Sequence, residues 1–201
     1  MVTENQYKNL QYVRTYLQPL MNQLEGMDYY FYGGCLRDLY MGRTPHDFDI
    51  GCSSREGVDG LVAKLKDIGY SIEIITDFGY KMRYLNNMVD ISNWQLPTIA
   101  EKISNFDFTV NALGFTSDYK MIFHSTTFDD IDERILKEIK KDIDGEPHRP
   151  DIGGRTVKFW ERGFSFKDGE YKQTIDLELY SMDVTLEDWN GEEFDIRSNT
   201  K

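Results

Sequence analysis

A pair of aspartates two residues apart constrains the fold of this chain more than any other sequence feature. The pair closes the run GGCLRDLYMGRTPHDFDI, residues 33–50, whose pattern is a Gly-Gly turn, a short amphipathic helix, a turn and a strand. Side chains two positions apart on a strand point to the same face of a sheet. Asp47 and Asp49 are therefore predicted to lie side by side on a strand that follows a glycine turn and a helix.

Two crowded carboxylates of this kind suggest a metal site. Ionised carboxylates on one face repel each other, and a hard divalent cation such as Mg2+ relieves that repulsion by taking oxygen ligands from both. The arrangement suits nucleotidyl transfer, in which one metal ion activates a hydroxyl and a second binds the triphosphate. Gly33 and Gly34 would let the backbone approach a triphosphate, and Arg37 would add a charge-assisted contact. Each piece alone also fits a simpler interpretation, namely turn geometry, a solvated strand edge or a calcium site.

The whole run resembles the pattern G-G-x-V-R-D-x-L-L-G-x-x-x-x-D-x-D-I of the CCA-adding enzymes and bacterial poly(A) polymerases. Leu36 stands where that family usually has Val, and Tyr40 and Met41 stand for its Leu pair. The resemblance implies an α+β fold: a DNA polymerase beta-like nucleotidyltransferase head with a small mixed or antiparallel sheet flanked by helices, and a short C-terminal extension. It also implies that Asp47 and Asp49 are catalytic ligands of two Mg2+ ions, that an NTP is the substrate, and that the glycine turn and its arginine lie near the triphosphate.

A third catalytic carboxylate is predicted on a neighbouring strand, because many members of the wider superfamily recruit one there. In the strand-like run MVDIS, alternation places Asp90 on the face opposite Val89 and Ile91. An exposed aspartate on an edge strand is an equally good interpretation of Asp90. Glu73, in YSIEIIT, is a weaker rival.

A second segment, NFDFTVNALGF over residues 105–115, resembles the family's R-R-D-F-T-I-N-A-x-A/G, which contacts the ribose and phosphates of the nucleotide. The resemblance implies that Asp107 and Asn111 bind the nucleotide. Asn105 and Phe106 replace both arginines, so one expected source of positive charge is missing. Without the family, Asp107 and Asn111 equally well cap a helix or brace a turn.

The run RTVKFWERGF, residues 155–164, resembles the neck helix that follows the family's head. Arg155, Lys158 and Arg162 would share one helix face and form a local basic patch that contacts RNA. A solvated cationic face is the favoured alternative. The family's base-recognising positions fall within residues 148–152 and do not match, so the choice of nucleotide does not carry over.

Composition limits the partners. With a formal net charge of -12 and a pI near 4.7, the chain is unlike a protein that coats nucleic acid with Lys and Arg. It has no apolar run of about 18–20 residues, so we expect a soluble protein without a membrane partner. The first residues do not read as a secretory signal, and Cys35 and Cys52 lack zinc-ligand spacing. These features predict a cytoplasmic protein with two reduced thiols; a disulfide between them is the less favoured alternative.

The predicted organisation is a nucleotidyltransferase head over residues 1–141, a connector over 142–150, and a neck-like helix with an acidic extension over 151–201. A charged amphipathic helix is predicted over residues 130–141. The family's tRNA-holding body and tail are not represented in these 201 residues.

The resemblance implies transfer of a nucleoside monophosphate from an NTP to a hydroxyl, with an RNA 3' end as acceptor, as in tRNA CCA addition or polyadenylation. Two alternatives remain open. One is a catalytically silent nucleotide- or RNA-binding module that needs a protein partner. The other is a nucleotidyltransferase that acts on a protein or a small molecule, which the net acidity favours.

Overall fold

The computed structural model describes residues 2–92, 98–139, 142–143, 146–147, 152–166, 174–187 and 194–195. The helices in these ranges are α1 (Glu4–Gln23), α2 (Gly34–Tyr40), α3 (Arg55–Asp67), α4 (Ile99–Ser104), α5 (Thr127–Glu133) and α6 (Ile152–Glu161), with a 3-10 turn at Thr109–Asn111. The strands are β1 (Tyr30–Tyr32), β2 (Phe48–Gly51), β3 (Ser71–Thr76), β4 (Gly79–Tyr84), β5 (Asn87–Ser92), β6 (Leu113–Thr116), β7 (Lys120–His124), β8 (Glu138–Ile139), β9 (Asp142–Ile143), β10 (Glu146–Pro147), β11 (Thr174–Ile175), β12 (Leu179–Asp183) and β13 (Phe194–Asp195).

A mixed sheet organises these elements. Its nine strands have the order β13-β12-β7-β6-β1-β2-β5-β4-β3. Within the described ranges, β2 and β5 form its parallel pair and the other neighbours are antiparallel. Two short pairs, β9 with β10 and β8 with β11, lie outside it. The predicted α+β fold with a mixed sheet flanked by helices is confirmed.

The two faces of the sheet bury different hydrophobic clusters. The larger cluster joins Leu10 of α1, Leu36 of α2 and Leu61 of α3 to strand residues such as Ile50 and Ile91. The smaller cluster, on the other face, consists of Ile103, Ala112, Ile122, Ile139 and Leu179, and in it α4 packs on β1, β6 and β7. Because strand residues alternate, the neighbours of Ile50 and Ile91 on β2 and β5 face the same side as α4.

Capping residues explain where helices α4 and α3 begin. The side chain of Thr98 accepts a hydrogen bond from the Glu101 amide at 3.2 Å, and the Glu101 carboxylate accepts one from the Thr98 amide at 3.0 Å. This capping box fixes the first turn of α4. Ser54 caps α3 with a single bond, in which its hydroxyl accepts from the Gly57 amide at 3.0 Å.

The helix predicted over residues 130–141 is wrong from Arg134 onward. Helix α5 spans Thr127–Glu133 and ends at Arg134 in the left-handed region, with φ 60°. The Leu136 amide then donates to the Ser165 carbonyl at 2.8 Å, and Glu138–Ile139 form strand β8. The charged periodicity continues past the turn, but pairing with a segment that is distant in sequence determines the backbone there.

The C-terminal segment contributes to the same sheet and core. Strand β12 pairs along its whole length with β7, and Phe159 and Phe164 are buried in the larger cluster. The proposed domain boundaries stay a prediction, and most of the acidic extension beyond residue 187 lies outside the described residues. In the part of the chain that the structure describes, no helix has the length and apolar character to cross a bilayer.

Candidate active site

The predicted catalytic carboxylates come together on the open part of the sheet beside α4. Asp49 of β2 and Asp90 of β5 are direct partners in the parallel register. Asp47 immediately precedes β2, and the side chains of Asp47 and Asp90 are about one third exposed, at 32% and 31%. Strand β5 lies between β2 and β4, so the interpretation of Asp90 as an edge-strand residue is wrong. Its catalytic role stays a prediction.

Negative charge is concentrated at Asp49. Burial, and then the charges of Asp47 and Asp90, raise its pKa from 3.8 to about 7, while Lys102 and Lys81 act in the opposite direction. A pKa raised in this way means that ionisation of the whole cluster is unfavourable in the absence of another cation. The donor set is made of carboxylate oxygens, which are the ligands that Mg2+ prefers. The residues present therefore fit the predicted metal at Asp47 and Asp49.

Asp90 has a protein cation as its partner. Its Oδ2 accepts from Nζ of Lys81, on the adjacent strand β4, at 3.0 Å. Among the described residues, no three His, Cys, Asp or Glu side chains are grouped as a ready-made metal site. Metal binding by Asp47 and Asp49 stays a prediction, and Asp90 would join them only by exchanging Lys81 for a metal ion.

A second lysine reaches the cluster from above the sheet. Nζ of Lys102, on α4, donates to Oγ of Ser92 at 2.8 Å and lies 4.7 Å from the ring centroid of Tyr32. Burial lowers the pKa of Lys102, and the charges of Asp49 and Asp90 raise it. Burial also raises the pKa of the Tyr32 hydroxyl, helped by Asp49. The site therefore combines three carboxylates with two lysines.

The Gly-Gly turn lies next to this cluster, and one of its glycines is required by packing. Gly33 has φ 74°, and a Cβ added there would meet the Phe106 ring at 2.8 Å. Its amide donates to the Leu113 carbonyl at 2.9 Å. A Cβ on Gly34 would meet its nearest heavy atom, in the Arg37 guanidinium, at 3.6 Å, an ordinary van der Waals contact. Packing therefore requires glycine at position 33 and leaves room for a Cβ at position 34.

Arg37 is buried and bonded to protein groups. Its Nε and Nη2 donate to Oδ1 of Asp38 at 2.9 and 2.6 Å, and its Nη1 donates to Oδ1 of Asn111 at 2.6 Å. The guanidinium also lies over the rings of Phe159 and Phe164, at 5.4 and 5.9 Å from their centroids. Arg37 and Asn111, both predicted to bind nucleotide, are thus brought together, but as partners of each other. Their contact with a nucleotide stays a prediction.

Asp107 lies in a buried segment that is braced from several sides. Its carbonyl accepts from the Ile139 amide at 2.9 Å. The neighbouring Thr109 donates through its hydroxyl to Oδ2 of Asp130 at 2.7 Å, and Lys137 forms an ion pair with the same carboxylate. The segment that resembles the family motif is thus held by buried hydrogen bonds and an ion pair. The nucleotide contact of Asp107 stays a prediction.

The predicted RNA-contacting residues are on or just after α6. Lys158 and Arg162 are exposed, and Arg155 belongs to the helix, although its side chain lies outside what the structure describes. Phe159, on the same helix, packs against Phe108 with ring centroids 5.0 Å apart. The exposed lysine and arginine fit a solvated cationic face as well as an RNA contact.

The sequence analysis did not identify the two lysines, and Glu73 stays the weaker candidate. Lys81 lies opposite Asp90 in the β4–β5 hairpin, so the register of two strands joined by a short turn was a usable signal. No sequence signal placed Lys102 there, because its position depends on how α4 packs. Glu73 lies on the outermost strand β3 and pairs with Arg83. Cys35 and Cys52 are both buried free thiols, as predicted.

No model of a known protein family matches the sequence. Curated relatives include the CCA-adding enzymes of Leuconostoc citreum, 28% identical over 143 residues, and of Bacillus subtilis, 28% identical over 131 residues. These alignments cover 64% and 59% of this chain but only 35% and 33% of the relatives. The chain therefore spans about a third of the length of the curated relatives it matches.

Solved structures share the fold over a similar span. A CCA-adding enzyme in complex with CTP superposes with a TM-score of 0.54 at 18% identity, over 65% of this chain and 36% of that one. The Thermotoga maritima CCA-adding enzyme complexed with tRNA superposes with a TM-score of 0.53 at 17% identity, over 81% of this chain and 38% of that one. In sequence and in fold, this chain is similar to about a third of the length of the CCA-adding enzymes.

Proposed function

We propose that this chain transfers a nucleoside monophosphate from an NTP to the 3' hydroxyl of an RNA, in a reaction that depends on a divalent metal ion. The observation that carries the proposal is the grouping of Asp47, Asp49 and Asp90: burial of Asp49, and then the charges of the other two, raise its pKa to about 7. A chain that had no use for cations would gain stability by losing one of these charges.

In this proposal Asp47 and Asp49 hold two Mg2+ ions, which would lower the pKa of the attacking hydroxyl and neutralise charge on the leaving pyrophosphate. The acceptor oxygen bonds to the α-phosphorus while the bond from that phosphorus to pyrophosphate breaks. Asp90 supplies a third carboxylate beside the pair, and its bond to Lys81 orients it. The amides at Gly34 contact the triphosphate.

The choice of RNA as acceptor rests on the relatives. The CCA-adding enzyme solved with CTP and the Thermotoga maritima enzyme complexed with tRNA have the fold described above. The superpositions cover 36% and 38% of those two proteins, so the acceptor is assigned from that shared part. The exposed Lys158 and Arg162 are the residues we assign to contact with the RNA.

The test is transfer of label. Purified protein is incubated with Mg2+, each α-labelled NTP in turn, and total RNA stripped of its 3'-terminal CCA, with the Asp47→Ala/Asp49→Ala variant beside the wild type. We expect label in RNA with the wild type alone, and the labelled NTP names the nucleotide. Equal labelling by the double variant would overturn the assignment. Label on protein or a small molecule would keep the chemistry and replace the acceptor.

One observation favours a second candidate, a catalytically silent nucleotide-binding module. Phe106, which stands where the family has an arginine, covers Gly33 with its ring. Arg37 is engaged with Asp38 and Asn111. Two sources of positive charge are therefore absent or committed. If the protein bound MgATP in a calorimetric titration but transferred label to no acceptor, this candidate would replace the enzyme.

A further inference from the structure

Positive charge at the site comes from a different element than the sequence resemblance leads one to expect. The two arginines expected at positions 105 and 106 are Asn105 and Phe106. Asn105 is exposed and its side-chain amide donates to the Glu101 carbonyl at 2.8 Å, while Phe106 packs on the glycine turn. Neither residue can hold a phosphate by charge.

Lys102 lies one helical turn before that pair and points into the site. Its ammonium group lies over the ring of Tyr32, the residue directly before the Gly-Gly turn, and bonds to Ser92, two residues after Asp90. It is therefore held between the glycine turn and the carboxylates. A triphosphate bound at cations on Asp47 and Asp49 and at the glycine turn would have to pass this position.

The two lysines of the site differ in whether they are available to a ligand. Lys81 is neutralised by Asp90 at 3.0 Å. Lys102 has a hydroxyl as its hydrogen-bond partner, and among the described residues no carboxylate lies within salt-bridge distance of it. Lys102 is partly buried and its ammonium group lies over the Tyr32 ring, so little side-chain entropy remains to be lost when it binds an anion.

We infer that Lys102 binds the triphosphate of the incoming nucleotide and takes the place of the missing arginine pair. This inference rests on the proposed function, since it assigns a residue to the same site. A lysine acts as a point charge on a phosphate, whereas an arginine pair clamps it by geometry. The site would therefore recognise the charge of the triphosphate and impose less geometric selection on it.

Calorimetric titration of ATP in Mg2+, with no acceptor present, tests the assignment. The variant is Lys102→Gln, which removes the charge and keeps a donor for Ser92, so the fold is expected to persist; melting temperatures verify this. We expect ATP affinity to fall about tenfold, which is about 1.4 kcal/mol. Lys102→Arg should retain most of the affinity, and adding Asn105→Arg to Lys102→Gln should recover part of it. Lys66→Gln, on the exposed face of α3, is the matched control.

A purely structural role for Lys102 would give a different pattern. Lys102→Gln would then weaken adenosine and ATP alike, and Asn105→Arg would recover nothing; either result overturns the inference. So does unchanged ATP affinity in Lys102→Gln, or the absence of ATP binding by the wild type. Failure of the proposed function is separate: a wild type that binds ATP through Lys102 and transfers no label refutes catalysis and leaves the Lys102 assignment standing.

Discussion

The molecule contains two clusters of side chains around a buried aspartate, one around Asp130 and one around Asp49, and they differ in how the negative charge is compensated. Asp130 is 1% exposed, accepts from Thr109 at 2.7 Å and from Thr126 at 2.6 Å, and pairs with Lys137. Asp49 lies beside Asp47 and Asp90, and burial, followed by the charges of these two neighbours, raises its pKa to about 7. In the first cluster, protein groups supply both the hydrogen bonds and the opposite charge for the carboxylate, so the cluster is structural. The second cluster has an excess of negative charge that a bound cation would neutralise. This property is expected of a functional site and not of a structural cluster.

The largest expected effect separates the two clusters by activity. Asp49→Asn removes a metal ligand, so transfer of nucleotide label should fall by about a thousandfold or more, as expected when a transition-state interaction is lost. Rates of label incorporation at saturating MgATP measure this. The control is Asp67→Asn, an exposed carboxylate at the end of α3 that should leave the rate unchanged. An Asp49→Asn enzyme with more than a tenth of wild-type activity would contradict the assignment.

The second prediction separates the clusters by stability. Asp130→Asn leaves the Lys137 ammonium without its carboxylate and weakens two threonine bonds, so the free energy of unfolding should fall by about 3 kcal/mol. Denaturant unfolding monitored by circular dichroism measures it. Asp49→Asn should show no such loss under the same conditions. If both variants lost the same stability, the distinction between the structural cluster around Asp130 and the functional site around Asp49 would be wrong.

The third prediction concerns the pH dependence of the free energy of unfolding, to which Asp49 should contribute a smaller effect. Because the pKa of Asp49 is raised from 3.8 to about 7, the folded protein binds this proton more tightly than the unfolded chain does. Its contribution therefore favours folding below about pH 4, declines as pH rises towards 7, and is level above that. Without divalent cations the decline should be on the order of 1–2 kcal/mol after solvent screening.

Unfolding in EDTA at about pH 5 and about pH 8 measures the pH effect as the difference between wild type and Asp49→Asn. The wild type should lose more stability than the variant between these two conditions. A parallel pH response in the two proteins would show that the pKa of Asp49 is not raised in the folded protein.

The smallest effect concerns a carboxylate that belongs to neither cluster. Glu73 lies on the outermost strand and pairs with Arg83, away from the parallel β2–β5 pair. Glu73→Gln should therefore change the transfer rate by less than about twofold, whereas Asp90→Asn should lower it by about tenfold or more. Initial-rate assays compare the two. A larger loss in Glu73→Gln than in Asp90→Asn would exchange their roles.

The position of the acidic cluster was predictable because its information is local. Alternation along β2 and β5 fixes which way Asp49 and Asp90 point, and the glycine turn limits what precedes them. Their direct pairing was not predictable in the same way, since β2 and β5 are separated by α3, β3 and β4. The match to a family motif supplied what local patterns lack, namely the topology.

Two features that the local sequence did not indicate have a common physical cause in long-range packing. Arg37 looks like a free cation in the sequence, but rings from Phe159 and Phe164, more than a hundred residues later, close over it. The helix expected over residues 130–141 stops at Arg134 because the following backbone pairs with Ser165. In each case a segment distant in sequence determines the local structure, and the neighbouring residues in the sequence do not indicate which segment that is.

Calorimetric titration of Mn2+, as a stand-in for Mg2+, into wild type and Asp47→Asn/Asp49→Asn near pH 8 tests the central claim most directly. We predict binding by the wild type that is lost in the double variant, while an Asp67→Asn/Asp118→Asn variant, altered at two exposed carboxylates, binds like the wild type. Equal Mn2+ binding by wild type and Asp47→Asn/Asp49→Asn, or no binding by the wild type, would contradict the claim that this crowded pair is a divalent-cation site.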